Sequence, residues 1–431
     1  MIPSAHLSRF LNRLRAHAPC LTELARQTGF CRRKARKLSP RLFLLSCVFQ
    51  ALQPSTSLRL QALLVGLFGG FSLSKQAFHK RLNERSSAFL QACIATVLAK
   101  PARKELGALR NASFGRVLLH DSTCVTLAAC EAGRFPGPAN QRSRAQAGLR
   151  LQLIYDLLEE RMVDSRLTPF TRNDQAAASD IVPLLRAEDL VVRDLGYFAQ
   201  KALAEIALMQ AFFLTRWRYG SHLREVDGGA PIDLPARLPK DRPFEMEVLL
   251  SDGHAVRLLA FPLPGAVANE RRRKARADRD KRLHHDEQYY KLLGWTLLLT
   301  NAPRARLPLR AAAGVYRLRW RIEIIFKAWK SHLGLLHASK ASGAQMLALV
   351  LGLLLFCVLL HESMPAEADA SPSFSLLKVA QFMALYLLPA ALAFLSADEL
   401  AARLHAQLLY HGCYEKRARK THFQLKLFGL G

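Results

Sequence analysis

Apolar residues recur at helical spacing near both ends of this chain. In residues 1–110 they show almost no strand-like alternation, and Ser39-Pro40, Pro54 and Gly69-Gly70 interrupt them. Such residues end helices, because proline lacks a backbone donor and glycine favours turns. Residues 341–431 return to the same pattern. The sequence therefore predicts helical domains at 1–110 and 341–431.

Between these segments the pattern changes to short apolar runs typical of strands. Strands are predicted at 116–119, 149–155, 162–167, 190–193 and 212–215, with helices near 176–185 and before the last strand. The order β-β-β-α-β-α-β predicts an α/β domain over residues 111–216. Further along, alternating runs at 244–250 and 256–261 flank Asp252-Gly253, a pair that favours a hairpin turn.

Residues 58–83 have the pattern of a helix, a glycine turn and a second helix. Ser74 is a candidate N-cap of the second helix. Polar side chains that read DNA bases and phosphates would then point outward from it: Lys75, Gln76, His79, Lys80 and Asn83. An ordinary helical hairpin with a solvated face explains the pattern equally well, so both interpretations stay open.

Two further basic runs stand out. Residues 32–37 read Arg-Arg-Lys-Ala-Arg-Lys, and their setting favours phosphate contacts over simple solvation. Residues 270–282 predict a highly charged helix, either solvated or in contact with the DNA backbone. His284 and His285 follow it, and we interpret them as surface residues because adjacent positions on a helix diverge.

Charge narrows the class of partner. The 431 residues carry 62 Lys and Arg against 34 Asp and Glu, a net charge of +28, and residues 1–110 alone contribute 19 − 3 = +16. Such an excess repels itself unless it meets a polyanion. Nucleic acid is therefore the leading partner class, and an anionic membrane surface is the second.

A membrane span has one candidate, the fifteen apolar residues 346–360. Crossing the hydrocarbon layer takes about twenty, so we predict a buried helix instead. None of the eight cysteines forms a C-x2-C pair, and most have apolar neighbours. This usage is typical of reduced thiols, and with no secretory signal at the N-terminus it predicts a cytoplasmic protein.

The most informative pattern lies near position 320, in the spacing Tyr-x2-Arg-x3-Glu-x6-Lys. If residues 316–330 form one helix, one stripe of it holds a lone carboxylate among cations and an aromatic ring: Tyr316, Arg319, Glu323, Lys327 and Lys330. The opposite face carries Ile322, Ile325 and Trp329, which predict a core contact. In isolation the stripe also fits an amphipathic helix with a basic outer face.

This spacing resembles the YREK signature of the insertion-sequence-4 family of DDE transposases. Asp121 and Asp194 each follow an apolar run, as acids of that family do, and residues 299–303 are similar to the block before its last catalytic segment. Arg216 is similar to the basic residue that follows the family's next strand. The resemblance covers about half the chain, with its parts in the family's order.

The resemblance implies a ribonuclease H-like catalytic core flanked by the N-terminal and C-terminal helical domains. The core would comprise residues 111–216 and 295–340, and residues 217–294 would form a β-rich insertion. In that fold the first and fourth strands are neighbours, so Asp121 and Asp194 would lie side by side.

The resemblance also implies a chemistry. Asp121, Asp194 and Glu323 would be the catalytic acids and the ligands of two Mg²⁺ ions, for which Mn²⁺ can substitute; hard cations prefer carboxylate oxygens. Side chains near the cleaved strand would contact DNA: Arg216, Tyr316, Arg319, Lys327 and Lys330. Trp295 and Trp320 would each either stack on a flipped base or belong to the core.

The implied function is cut-and-paste transposition, with a hairpin as the expected intermediate. The partners would be double-stranded DNA, namely terminal inverted repeats and target DNA, and a second copy of the chain in a homodimer. The alternatives are a related nuclease or domesticated recombinase, and a non-catalytic DNA-binding protein. A membrane-associated basic protein is a distant further possibility.

Overall fold

A computed structural model describes residues 18–33, 37–53, 55–99, 114–138, 146–278, 286–363 and 395–412, with a few positions between 382 and 392. The chain divides into two compact units. The helical unit comprises Met1–Lys100, Leu127–Glu131 and Lys327–Gly431. The sheet unit comprises Pro101–Thr126 and Ala132–Phe326. Of the features predicted above, Pro54, residues 34–36 of the basic run, residues 279–282 of the charged helix and the pair His284-His285 lie outside the described residues.

Among the described residues before 100, the helical unit has five helices: α1 Ala18–Gln27, α2 Pro40–Ala51, α3 Leu58–Gly69, α4 Lys75–His79 and α5 Glu84–Leu98. Ser39 caps α2 by accepting a hydrogen bond from Leu42 N, and Pro40 occupies its first turn. Gly70 ends α3 in the left-handed conformation at φ +71°. The breaks at Ser39-Pro40 and Gly69-Gly70 are therefore confirmed as helix boundaries.

Later residues supply α12 Leu335–Ala338, α13 Gly343–Ser363 and α14 Ala397–Gly412. Helix α13 packs against α2 and α5, while α14 packs against α3. Helices from the predicted domains 1–110 and 341–431 therefore share one unit; the exact domain boundaries stay a prediction. Among the described helices, one window, Gly343–Leu360 of α13, is long and apolar enough to cross a membrane, but 83% of it is buried. That burial agrees with the predicted core helix.

Close packing of α13 on α2 yields a stability prediction. A Cβ added at Gly352 would lie 2.7 Å from the Cys47 carbonyl oxygen, so Gly352→Ala should destabilise the protein by about 1–3 kcal/mol. A Cβ at Gly314, in a helix of the sheet unit, meets nothing within 4 Å, so Gly314→Ala should instead stabilise by about 0.5–1 kcal/mol. Urea unfolding measures both; equal effects would contradict the packing argument.

The sheet unit is built on eight strands: β1 Val117–Leu127, β2 Ala147–Asp156, β3 Arg161–Pro169, β4 Leu190–Arg193, β5 Phe212–Arg216, β6 Phe244–Leu249, β7 Ala255–Pro262 and β8 Trp295–Thr300. Their order is β3-β2-β1-β4-β5-β8-β7-β6. Strands β1, β4 and β5 are parallel to one another. The antiparallel pairs are β2 with β3, β5 with β8, β8 with β7, and β7 with β6. The unit is therefore a mixed α/β structure around one sheet.

In the described part of this unit, six α-helices accompany the sheet: α6 Gln200–Leu208, α7 Leu234–Arg237, α8 Gly265–Arg276, α9 Glu287–Leu292, α10 Leu309–Arg317 and α11 Trp320–Ser331. Helix α11 continues into the helical unit from Lys327 onward. The core of the sheet unit joins residues of several strands and helices, including Leu118, Val191, Phe213, Leu258 and Leu299, each at most 2% exposed.

The five predicted strands of the α/β domain are confirmed, with two differences. Strand β1 continues to Leu127, so Asp121 lies within it rather than at its end. Residues Ala178–Leu184 form a 3₁₀ helix instead of an α-helix, and Pro183 within it cannot donate an intrahelical hydrogen bond. The predicted hairpin is present as β6 and β7, and it extends the main sheet through β8.

Candidate active site

The two aspartates lie side by side on neighbouring strands. His120 of β1 pairs with Arg193 of β4 in parallel register. Asp121 directly follows His120, and Asp194 directly follows Arg193. Paired strands run about 4.8 Å apart. The sheet therefore brings together two acids that are 73 positions apart in the sequence.

The predicted single helix over 316–330 is wrong, because a turn divides it. Helix α10 ends at Arg317 and α11 begins at Trp320, leaving Arg319 in the turn. There the hydrogen bonds tighten to three-residue spacing, from Arg319 N to Tyr316 O and from Ile322 N to Arg319 O. The break aims the Arg319 side chain at the acids rather than along an outer stripe.

Arg319 joins two of the predicted acids. Its Nη1 lies 3.1 Å from Asp121 Oδ2, and its Nη2 lies 2.7 Å from Glu323 Oε1. The Tyr316 hydroxyl donates a hydrogen bond of 3.2 Å to Asp194 Oδ1. Of the four residues of the predicted spacing, Tyr316 and Arg319 thus contact the two upstream aspartates, and Glu323 pairs with Arg319.

Burial sets the electrostatics of this cluster. It raises the pKa of Asp121 to about 6, and the nearby Asp194 and Asp174 add to that shift, while the Ser122 amide and Arg319 oppose it. Burial lowers the pKa of Arg319, but Asp194 and Asp121 outweigh it and leave that pKa raised. Burial and Asp194 raise the pKa of Tyr316. Arg319 therefore stays a cation, and Tyr316 a neutral donor.

Sequence reasoning missed a second polar cluster beside Asp121. Ser122 Oγ donates to Asp174 Oδ1 at 2.6 Å. Arg150 Nη1 reaches the same oxygen at 2.9 Å and Ser122 Oγ at 3.0 Å. Asp174 lies in a loop after β3, where no hydrophobic pattern distinguishes it from a solvated acid. Through these side-chain hydrogen bonds Asp174 fixes Ser122, the residue that directly follows Asp121 on β1.

The donor set suits a hard divalent cation, since the three acids offer only oxygen. Among the described residues, however, no three His, Cys, Asp or Glu side chains are placed closely enough to hold a metal ion together. The Arg319 guanidinium bridges Asp121 and Glu323 instead. Binding a cation there requires that this guanidinium move aside.

The two tryptophans differ. Trp320 is 60% exposed and carries the Arg319 guanidinium 5.7 Å from its ring centroid. Trp295 is half-buried on β8 and packs against the core of the sheet unit. The stacking interpretation therefore has better support at Trp320, and the core interpretation at Trp295.

The remaining predicted residues of 316–330, and Arg216, differ in burial. Ile322, Ile325 and Trp329 are buried, which confirms the predicted core face. Lys327 is exposed and Lys330 half-buried. Both belong to the helical unit, so their part in the site stays a prediction. Arg216 ends β5 and is half-buried.

The candidate recognition helix is shorter than predicted. Ser74 caps it as expected, by accepting from Ala77 N at 3.1 Å, but α4 ends at His79. Asn83 caps α5 in a reciprocal arrangement with Ser86, so it is not a base-reading residue of α4. Gln76, His79 and Lys80 are exposed and Lys75 is half-buried; Arg32 and Arg33 are also exposed.

Comparison with known proteins finds transposases of insertion sequences among the relatives of this chain. The chain is 26% identical over 338 residues to the transposase for insertion sequence element IS231B of Bacillus thuringiensis subsp. berliner, covering 72% of this chain and 70% of that protein. It is 22% identical over 351 residues, with the same coverage, to the transposase for IS1151 of Clostridium perfringens. The piggyBac transposase synaptic complex with hairpin DNA overlaps 89% of this chain and 80% of its own with a TM-score of 0.44 and 10% identity.

A match to a protein family agrees with these relatives. Residues 112–360, more than half of the chain, match the transposase DDE domain, and this range contains Asp121, Asp194 and Glu323. The chain therefore belongs to the family of DDE transposases found in insertion sequences.

Proposed function

We propose that this protein cuts and rejoins DNA at transposon ends, as a transposase of the insertion-sequence-4 type. One observation carries the proposal: Asp121 and Asp194 on adjacent strands face Arg319, Tyr316 and Glu323. The spacing of the last three is that of the YREK signature. The pairing of β1 with β4 supports a ribonuclease H-like core, in which those strands are neighbours.

Asp121, Asp194 and Glu323 are the residues that would hold two Mg²⁺ ions, or Mn²⁺ in their place. Such ions activate the attacking oxygen and stabilise the leaving oxygen of a phosphodiester. Arg319 would have a second role. Once its guanidinium leaves the carboxylates, the same planar N–H donors can bind two oxygens of one DNA phosphate. Arg216, Tyr316, Lys327 and Lys330 would add contacts to the DNA backbone.

A single set of acids must cut both strands at each end. In the economical route, the first released 3′-hydroxyl attacks the opposite strand and closes a hairpin. The second copy in a homodimer would carry out the same reaction at the other transposon end. A tight hairpin needs a base removed from the stack, and the exposed Trp320 beside Arg319 offers a face for it.

Trp320→Ala should therefore slow hairpin formation more than it slows first-strand nicking, by about 1–3 kcal/mol in activation free energy for the lost stack. Trp295→Ala is the matched variant, and it should lower stability instead, because Trp295 packs on the core. Denaturing gels with pre-nicked ends measure hairpin and nicked species. Equal slowing of both steps by Trp320→Ala would remove Trp320 from this role.

Specific recognition of the terminal inverted repeats is assigned to residues 1–110. Deleting that segment would strip α13 of its partners α2 and α5, so surface variants are the better test. Gln76→Ala should weaken end binding by about 1–3 kcal/mol if Gln76 reads a base. Lys80→Ala should lower by about one unit the salt slope, which is the steepness with which the logarithm of the binding constant falls with the logarithm of salt concentration. Lys201→Ala, on an exposed lysine of α6, is the control and should leave binding unchanged. Unchanged end binding in the first two variants would remove α4 from recognition.

The proposed function itself is tested with duplexes that carry the inverted repeats flanking the coding region. Wild-type protein should nick them at the repeat boundary with Mg²⁺ and stop on addition of EDTA. Nicking without later strand transfer would favour the nuclease alternative. Specific binding without cleavage, with either Mg²⁺ or Mn²⁺, would favour the non-catalytic alternative. In either case the protein would act on DNA in the cytoplasm.

A further inference from the structure

Helix α8 is basic, yet its cations are not equivalent. Arg273 forms two hydrogen bonds of 2.8 Å with Glu270, and Lys274 lies 3.6 Å from the same carboxylate. These side chains are exposed, as expected for a solvated face. Arg271 instead is half-buried, and its Nη1 donates a hydrogen bond of 3.1 Å to the Trp295 carbonyl oxygen on β8. One cation of α8 is thus anchored against the sheet.

Arg216 belongs to β5, the strand that pairs with β8 in the sheet. It ends β5, and its backbone pairs with Leu298, three residues after Trp295. Arg216 and Arg271 are close enough to affect each other: burial lowers the pKa of Arg271, the Arg216 charge lowers it further, and Tyr316 opposes both. The Arg216 charge also lowers the pKa of Tyr316. Thr215 of β5 pairs with Arg193 of β4 in parallel register, so Arg216 and Asp194 are the next residues after that pair. The two guanidiniums therefore border the Tyr316–Asp194 side of the candidate active site.

Neither guanidinium has an acidic partner among the described residues, since no carboxylate of that part of the chain lies within ion-pair distance of Arg216 or Arg271. By contrast, two other arginines of this unit each lie against a carboxylate: Arg257 lies 2.9 Å from Glu245, and Arg116 lies 2.5 Å from Asp189. Two like charges held together without a counter-charge repel each other, and a bound anion relieves that repulsion. Arginine favours phosphate oxygens in this role.

We propose that Arg216 and Arg271 together bind one phosphate of the DNA backbone beside the catalytic acids. Helix α8, which lies outside the YREK spacing, thereby contributes a side chain to the active site. The inference rests on the proposed function, because it takes the ligand to be DNA at a transposon end.

The test compares variants of Arg271 in binding to a duplex that carries the flanking inverted repeat, without divalent metal. Arg271→Gln keeps a donor for the Trp295 carbonyl but loses the charge, and it should weaken binding by about tenfold and lower the salt slope by about one unit. Arg271→Lys should retain most of the slope. Arg273→Gln, on the exposed face of α8, is the matched control and should bind like wild type. Thermal unfolding checks that each variant is folded.

A scan with methylphosphonates, which replace one charged phosphate at a time, identifies the contact. At one position near the cleavage site the neutral linkage should weaken wild-type binding about tenfold and weaken Arg271→Gln binding by a clearly smaller factor, since the variant has already lost the Arg271 contact and keeps only that of Arg216. Inorganic phosphate that competes equally against wild type and Arg271→Gln would assign the effect to general anion binding and overturn the inference. The inference would also be overturned if the binding losses from the neutral linkage and from Arg271→Gln simply add at every position. An equal loss of binding in Arg273→Gln would overturn it as well. If wild type itself shows no binding to the repeats, the proposed function fails; if wild type binds and Arg271→Gln binds equally, only this inference fails.

Discussion

Alanine at Asp121, Asp194 or Glu323 is expected to abolish Mg²⁺-dependent nicking of transposon ends while leaving end binding largely intact. Each carboxylate would be a cation ligand, and loss of one group from a catalytic set that acts as a unit costs at least about a thousandfold in rate. The acids do not hold the duplex, so binding should persist. Single-turnover nicking with Mg²⁺ and binding without metal are the two measurements.

The design needs a control for folding, because Asp121 and Glu323 are both paired with Arg319. Asp121→Asn and Glu323→Gln keep the size and an acceptor oxygen, and they should be as inactive as the alanine variants. Glu287→Ala, on an exposed acid of α9, should cut at the wild-type rate. A variant of any of the three acids that still cuts at the wild-type rate would remove that residue from the catalytic set.

Asp156→Asn is expected to gain stability relative to wild type as the pH rises. Asp156 is fully buried at the end of β2. Its Oδ1 accepts hydrogen bonds from Leu158 N and Glu159 N, while Oδ2 has no hydrogen-bond partner in the part of the chain that the structure describes. Burial, and then the charge of Glu159, raises its pKa from 3.8 to about 6. Asparagine keeps the accepting oxygen and carries no charge.

The sign follows from proton binding. Between pH 4 and 6 the folded state binds this proton and the unfolded state does not, so the stability that the protonated form contributes is lost as the pH rises through about 6. The shift corresponds to about 3 kcal/mol. The difference in unfolding free energy, variant minus wild type, should therefore grow by about that amount from pH 4 to pH 7. A difference that stays constant over this range would show that Asp156 titrates normally in the folded state.

Much of the sheet could be predicted from the sequence, because buried strands leave continuous apolar runs. The predicted run at 190–193 coincides with β4, and its pairing with β1 places Asp121 beside Asp194. The hairpin of β6 and β7 also followed from local pattern, since Gly253 adopts φ +84° in its turn. These features depend on interactions between near neighbours or on backbone pairing.

The side-chain arrangement of the site could not be predicted in the same way. The turn at Arg319 interrupts a stretch whose residues all permit a helix, so tertiary contacts with Asp121 decide it. Asp174 meets Ser122 across 52 positions, and Arg271 meets Trp295 across 24. The exposure of Trp320 and the burial of Trp295 likewise depend on packing, because the two residues are chemically identical.

The packing of α13 against α2 and α5 affects the order of events during synthesis. Helices α2 and α5 leave the ribosome well before their partner, since about 290 residues separate the end of α2 from the start of α13. At roughly 5–20 residues per second, the early helices wait on the order of 15–60 s for it. The sheet unit is synthesised within that interval, with its last strand, β8, complete before α13 appears. A ribosome-bound chain therefore carries exposed apolar helices beside a finished sheet, and chaperones would meet the newborn protein through its N-terminal helices.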